Sequence, residues 1–133
     1  MTKEQKAKLI EKAKRVRKHA YTPYSNFKVG AAVLCKNGRM FSGCNVENIS
    51  LGLSICAERS AIVKAFSEGC RDLTHIVIVT ESKIPSSPCG ICRQVFYEFN
   101  PDMEVILTNL EGKEIVKKAK DLLPLAYKRL RLE

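Results

Sequence analysis

The chain has no tryptophan and only two histidines, His19 and His75. It also lacks any apolar run near the ~18 residues of a membrane span, so no transmembrane helix is expected. Its opening Met1-Thr2-Lys3-Glu4-Gln5-Lys6 is polar and helical in pattern, without the apolar stretch of a secretory leader. No internal repeat, linker or low-complexity segment interrupts it. These absences point to one soluble, cytoplasmic domain over residues 1–133, long enough for a core that needs no cross-links. Acidic residues are outnumbered, 14 against 23 basic, which leaves a net charge of +9. The excess lies at the ends, Lys3 to Lys18 and Lys113 to Arg131, interleaved with aliphatic residues as on solvated helix faces. Without tryptophan or added loops there is no platform for stacking the bases of a polynucleotide, so nucleic acid is not an expected partner.

What the chain does have is six cysteines. In a reducing compartment, clustered cysteines bind metal or do chemistry more often than they form disulfides. Cys35, Cys44 and Cys70 stand apart from the cluster and read as buried small apolar residues. Around them the pattern alternates. Thr2 and Gln5 form a capping box, and Leu9, Ala13, Val16 and Ala20 predict an amphipathic helix over 3–20. Pro23 breaks it. Residues 27–34 and 39–46 read as strands joined by an Asn37-Gly38 hairpin turn. A helix follows from about residue 56 and stops at Gly69. The β-branched run in 73–80 predicts a strand buried on both faces, and His75 at its start reads as structural. A helix over 89–99, strands over 103–108 and 114–117, and a helical tail from Ala119 interrupted at Pro124 complete the order. Alternation of strand and helix requires crossovers, hence a partly parallel sheet with helices on its faces.

Two stretches carry the chemistry, Cys56-Ala57-Glu58-Arg59 and Pro88-Cys89-Gly90-Ile91-Cys92. Each follows a loop and opens a predicted helix. Cys89 and Cys92, three apart, share one face of a first turn, where both sulfurs reach one ion. Helix N-termini favour the thiolate form that a metal requires. Three thiolates suffice for a catalytic zinc that keeps its fourth position open. A purely structural site needs a fourth ligand, yet neither histidine has partner spacing and there is no second Cys-x-x-Cys. Glu58 is then the free carboxylate that accepts and later delivers a proton. Three thiolates around Zn²⁺ leave a net negative charge. Arg59, three residues after Cys56, can direct its guanidinium at the sulfurs and offset it. Asn45-Val46-Glu47-Asn48 ends the second strand near this motif, as either a solvated loop or a binding segment.

The Cys-x-Glu and Pro-Cys-x-x-Cys pair is the constellation of zinc enzymes that deaminate nucleobases. Five blocks in order extend the likeness: Tyr24 to Ala32, Asn45 to Asn48, Cys56 to Arg59, Ser87 to Gln94, and Leu122-Leu123-Pro124. The sequence resembles the small, homotetrameric, three-cysteine cytidine deaminases over nearly its whole length. The resemblance implies an α/β fold, a three-layer α/β/α sandwich with a mixed five-stranded sheet. It implies one Zn²⁺ per chain held by Cys56, Cys89 and Cys92, with Glu58 as proton shuttle. The expected reaction is hydrolytic deamination of free cytidine and 2′-deoxycytidine, releasing ammonia in pyrimidine salvage. Asn45 and Glu47 would bind the ribose 3′-hydroxyl, Phe27 would lie on the pyrimidine, and the Ala57 N–H would meet the base carbonyl. Arg59 and Gln94 would support the metal shell. Two positions depart from the family pattern. Leu51 stands where an aromatic residue often occurs, and Tyr127 stands where a phenylalanine often reaches a neighbouring subunit. The alternative is a deaminase of a cytosine-containing antibiotic of the blasticidin-S type, which typically departs at the ribose-binding block that is intact here. A non-catalytic, zinc-stabilised binding protein is the rival from another class.

Overall fold

The computed structural model describes residues 1–128. Helix α1 (Lys3–Arg17) starts with the expected capping box: Gln5 N donates to Thr2 Oγ1 at 3.0 Å, and Thr2 N to Gln5 Oε1 at 2.9 Å. It ends short of residue 20 because the chain is claimed elsewhere. Tyr21 N donates to Asn45 O at 3.0 Å, and Glu47 N donates to Tyr21 O at 2.9 Å. Strands β1 (Gly30–Cys35) and β2 (Met40–Cys44) form the hairpin. Then come α2 (Ala57–Ser67), β3 (Leu73–Thr80), α3 (Gly90–Phe99), β4 (Glu104–Asn109) and β5 (Glu114–Lys118). Short 3₁₀ turns lie at Leu51–Leu53 and Ala119–Leu122.

The strands form one five-stranded sheet in the order β2-β1-β3-β4-β5. Only β3 and β4 pair in parallel, across the connection that α3 provides; the other pairs are antiparallel. Leu9 and Ala13 of α1 pack on one face, against Ala32, Leu34, Val77, Val79 and Ile106. On the other face Ala57, Ala61, Ile62 and Phe96 of α2 and α3 meet Ala31, Val33, Ile76, Ile78, Val105 and Leu107. Successive β3 residues therefore serve opposite cores, as the unbroken apolar run requires. The result is the expected three-layer α/β/α sandwich around a mixed sheet.

Several expectations are corrected. The first strand begins at residue 30 because Phe27–Val29 is held largely by side chains instead of a ladder: Asn45 Nδ2 donates to Phe27 O and Val29 N donates to Asn45 Oδ1, both at 2.9 Å, and Arg17 Nε donates to Lys28 O at 3.0 Å. The tail is not a helix beyond the turn at Ala119–Leu122. Arg93 Nη1 donates to Leu122 O at 3.0 Å, capturing a carbonyl that a continuing helix would use, and residues 129–133 lie outside the described residues. Cys35 and Cys70 are buried, but as a disulfide, with Cα atoms 6.4 Å apart across a sequence separation of 35. The fold brings them together: Gly69 turns the chain at φ 85°, and Lys36 N then donates to Asp72 O at 2.8 Å beside the end of β1. Cys44 is only half-buried.

Two glycines set how closely the helices approach the sheet. A Cβ on Gly30 would lie 2.0 Å from Ala13 O of α1, and one on Gly43 would lie 2.4 Å from Ala61 N of α2. Gly43→Ala should therefore destabilise the fold by about 1–3 kcal/mol through overpacking. Gly52→Ala, which meets nothing within 4 Å, should be close to neutral. Chemical denaturation of both variants checks this, and equal midpoints would show that α2 does not press on β2 as described.

Candidate active site and metal centre

Cys56 and Cys89 occupy the N-cap positions of α2 and α3, and neither side chain bonds a helix N–H. Both sulfurs are thus free to face each other, 3.7 Å apart. Cys92 follows in the first turn of α3, and the three sulfurs lie within 4.8 Å of one another. Two helix N-termini, each with partial positive charge and unpaired N–H groups, converge on this cluster. Arg59 Nη2 adds a full positive charge 3.7 Å from Cys56 Sγ and also donates to Ser54 O at 3.3 Å. Its Nε is buried without a partner among the described residues. Three soft donors under cationic compensation suit zinc, and the sequence-predicted ligand set is brought together in full.

The protonation pattern follows from the packing. A hydrogen bond from Cys92 pulls the Cys56 thiol down to about 5, with Arg59 and Cys89 acting in the same direction against the cost of burial. Cys92 is pushed up strongly by that same bond, by burial, and by the charges of Glu58 and Cys56. Glu58 is 5% exposed, and its carboxyl is raised chiefly by burial and further by the Cys56 charge. A carboxyl shifted upward beside a metal-ligating cluster holds a proton more readily than an exposed one, as a proton carrier must.

Beside the sulfurs lies a cavity of about 120 Å³. Phe27, Asn45, Cys56, Ala57 and Glu58 line it, as does the segment Ser86–Pro88. A larger, open concavity of about 600 Å³ between α1 and the β1–β2 turn is lined by Lys8, Lys12, Arg15 and Arg39 and holds none of this chemistry. Glu47 is not in the cavity lining. Its Oε1 accepts from Tyr24 N at 3.0 Å and from Ser25 N at 3.1 Å, and its Oε2 accepts from the Ser25 hydroxyl. Gln94 donates from Nε2 to Tyr127 O at 3.1 Å, so its contact is with the C-terminal segment and not with the sulfurs. The Tyr127 side chain is 84% exposed and Leu51 78%. His75 bonds Glu104 and Thr74, away from the cluster.

Sequence reasoning did not single out Thr80, which also lines the cavity, or Arg93, whose Nε donates to Pro88 O at 2.9 Å just before Cys89. Thr80 had a signal: it ends a strand at the carboxyl edge of the parallel pair, where open α/β sheets bind ligands. Arg93 had none, because its partners are backbone carbonyls far apart in sequence.

Such a site suits the zinc enzymes that replace an amino group on a ring carbon by the oxygen of water. Residues 3–108 match the cytidine and deoxycytidylate deaminase zinc-binding region, and the chain belongs to that family. It is 49% identical over 120 residues to a cytidine deaminase of Halalkalibacterium halodurans, covering 90% of this chain and 91% of the relative. The crystal structure of a cytidine deaminase from Burkholderia pseudomallei superposes with a TM-score of 0.89 at 50% identity, covering 96% of this chain and 100% of that one. A blasticidin-S deaminase of Bacillus cereus is more distant, 33% identical over 109 residues, with 76% of this chain and 77% of the relative covered.

In the metal-free protein the Cys56 shift has a defined sign. Its folded pKa of about 5 lies below the ordinary 9.0, so the stability it contributes is complete above that ordinary value and is lost as pH falls through about 5. Ultraviolet thiolate absorbance should therefore persist at neutral pH and titrate near that lower value. Arg59→Ala should move the midpoint upward, and an unmoved midpoint would remove Arg59 as a source of the shift.

Proposed function

We propose that this chain hydrolyses cytidine and 2′-deoxycytidine to uridine and 2′-deoxyuridine, with one zinc held by Cys56, Cys89 and Cys92. The observation that carries the reading is the burial of Glu58 beside the three-thiol cluster, at the wall of one small cavity. Bound zinc supplies Lewis acidity that lowers the pKa of a water molecule to near neutrality. Glu58 takes a proton from that water and places it on N3 of the pyrimidine, making C4 electrophilic. The water oxygen adds to C4; the C4–O bond is kept and becomes the carbonyl as the C4–N bond breaks, and Glu58 passes the water's second proton to the departing amine, which leaves as ammonia. Its raised pKa suits both directions of transfer.

The remaining residues position and discriminate. Ala57 is the first residue of α2, where N–H groups lack helical acceptors, and its N–H meets the base carbonyl. Phe27 packs on the ring, and Asn45 and Glu47 recognise the 3′-hydroxyl. Arg59 offsets the thiolate charge. Gln94 supports the metal shell indirectly, by fastening the segment containing Tyr127 to α3. The intact Asn45–Glu47 block favours a nucleoside over the antibiotic, because polar groups built to bind a hydroxyl discriminate against a substrate that lacks it.

The chain acts, on this reading, as a cytoplasmic homotetramer in pyrimidine salvage. Among the described residues no helix is long and apolar enough to cross a membrane. Ile49, Leu51, Leu53 and Ile91 are exposed on segments bordering the site, with Tyr127 available for subunit contact. An apolar surface of this kind calls for a partner.

Glu58→Gln should retain about one zinc per chain while turnover of cytidine, followed by ultraviolet change, falls by at least ~10²–10⁴-fold. Full activity in that variant would sink the assigned role. Sedimentation equilibrium should give the mass of four chains, and Leu53→Glu should shift the population toward smaller species. A monomeric wild type at assay concentration would refute the assembly.

A further inference from the structure

The turn before Phe27 links the sugar side of the site to the base side through a single hydroxyl. Asn26 adopts φ 55°, a left-handed conformation that asparagine tolerates, and Asn26 N donates to Thr22 O at 2.9 Å. This folds Ser25 back over Glu47. A serine hydroxyl has one proton and two acceptor positions. Here the proton goes to Glu47 Oε2, and the oxygen accepts from Phe27 N at 3.0 Å. Phe27 O is in turn held by Asn45 Nδ2 at 2.9 Å. Glu47, Ser25, Phe27 and Asn45 therefore form one continuous hydrogen-bonded chain.

We propose that Ser25 is a positioning residue that sets discrimination for the sugar hydroxyl by fixing the Glu47 carboxylate relative to Phe27. This rests on the reading of Glu47 as a ribose ligand. A carboxylate offers roughly four acceptor positions. Two on Oε1 are filled by Tyr24 N and Ser25 N, and one on Oε2 by the Ser25 hydroxyl. One position on Oε2 is left, and Ser25 determines where it points. The same contacts, the Ser25 hydroxyl foremost, hold the Glu47 carboxyl below its ordinary value, so it stays an acceptor at neutral pH. Without the hydroxyl, Oε2 is free to turn toward water and Phe27 N loses its acceptor. Ser25 is itself exposed, so an added methyl group there is accommodated.

The test compares cytidine with 3′-deoxycytidine as substrates of the zinc-loaded enzyme, using wild type, Ser25→Ala, Ser25→Thr and Glu47→Gln. Ser25→Ala should raise KM for cytidine roughly tenfold, the worth of a hydrogen bond to a charged group, with kcat within about twofold. Its preference for cytidine over the 3′-deoxy analogue should collapse to that of Glu47→Gln. Ser25→Thr, which keeps the hydroxyl, should restore the preference. A merely structural role would change both substrates alike. If Ser25→Ala retains wild-type preference while Glu47→Gln loses it, the proposal is overturned and the ribose reading stands. If Glu47→Gln itself retains the preference, the ribose reading falls and takes the proposal with it. Thermal melting and zinc content confirm that each variant is folded. Should Ser25→Ala not fold, a Ser25→Thr variant without wild-type preference overturns the proposal.

Discussion

Thiolate charge is the constraint on which this structure turns. Three sulfurs within one ion's reach would repel one another as anions, and the Cys92–Cys56 hydrogen bond, two helix starts and a guanidinium offset that repulsion. That requirement explains why Cys56 and Cys89 cap helices whose caps make no side-chain bond. An ordinary capping residue would spend its side chain on the helix N–H groups; these cysteines leave both the N–H field and the sulfur directed outward. The sheet's task is then to aim α2 and α3 at a common point. It does so by packing both on one face, through the small residues Ala57, Ala61 and Ala65 on α2 and the larger Phe96 on α3.

Burial does a second job in the same place. Glu58 lies one helical residue past Ala57, whose side chain is fully buried, so the carboxyl enters the core beside the sulfurs and not solvent. The fold spends stability there, since a carboxyl would be cheaper at the surface. In return it has a carboxyl whose proton affinity is raised above the ordinary value. A site open to bulk water would leave that carboxyl ionised and a poor proton carrier.

Much of this was legible in the residues. The β-branched run 73–80 became β3 with the same bounds, and the Asn37-Gly38 turn formed its hairpin. The thiol motifs opened the helices they were expected to open, because cap position, turn spacing and metal-ligand spacing are all local. What escaped was non-local. Phe27–Val29 read as strand by pattern, but most of its bonds go to the side chains of Asn45, Arg17 and Ser25 in place of a strand. The tail has helical periodicity, yet Arg93 takes the Leu122 carbonyl. Cys35 and Cys70 carry no spacing signal, and only the return of the chain through Gly69 sets them side by side. Thr80 was the one omission a topological argument could have supplied.

The double grip of Arg93, on Pro88 O before Cys89 and Cys92 and on Leu122 O after the last strand, ties the thiol-bearing loop to the end of the fold. During synthesis, the loop that presents Cys89 and Cys92 emerges well before residue 122, and until then it is clamped from one side only. A nascent chain can therefore hold all three sulfurs outside the ribosome while the surroundings that fix their spacing are unfinished. Completion of the C-terminal turn closes the second half of that clamp on the segment carrying Cys89 and Cys92.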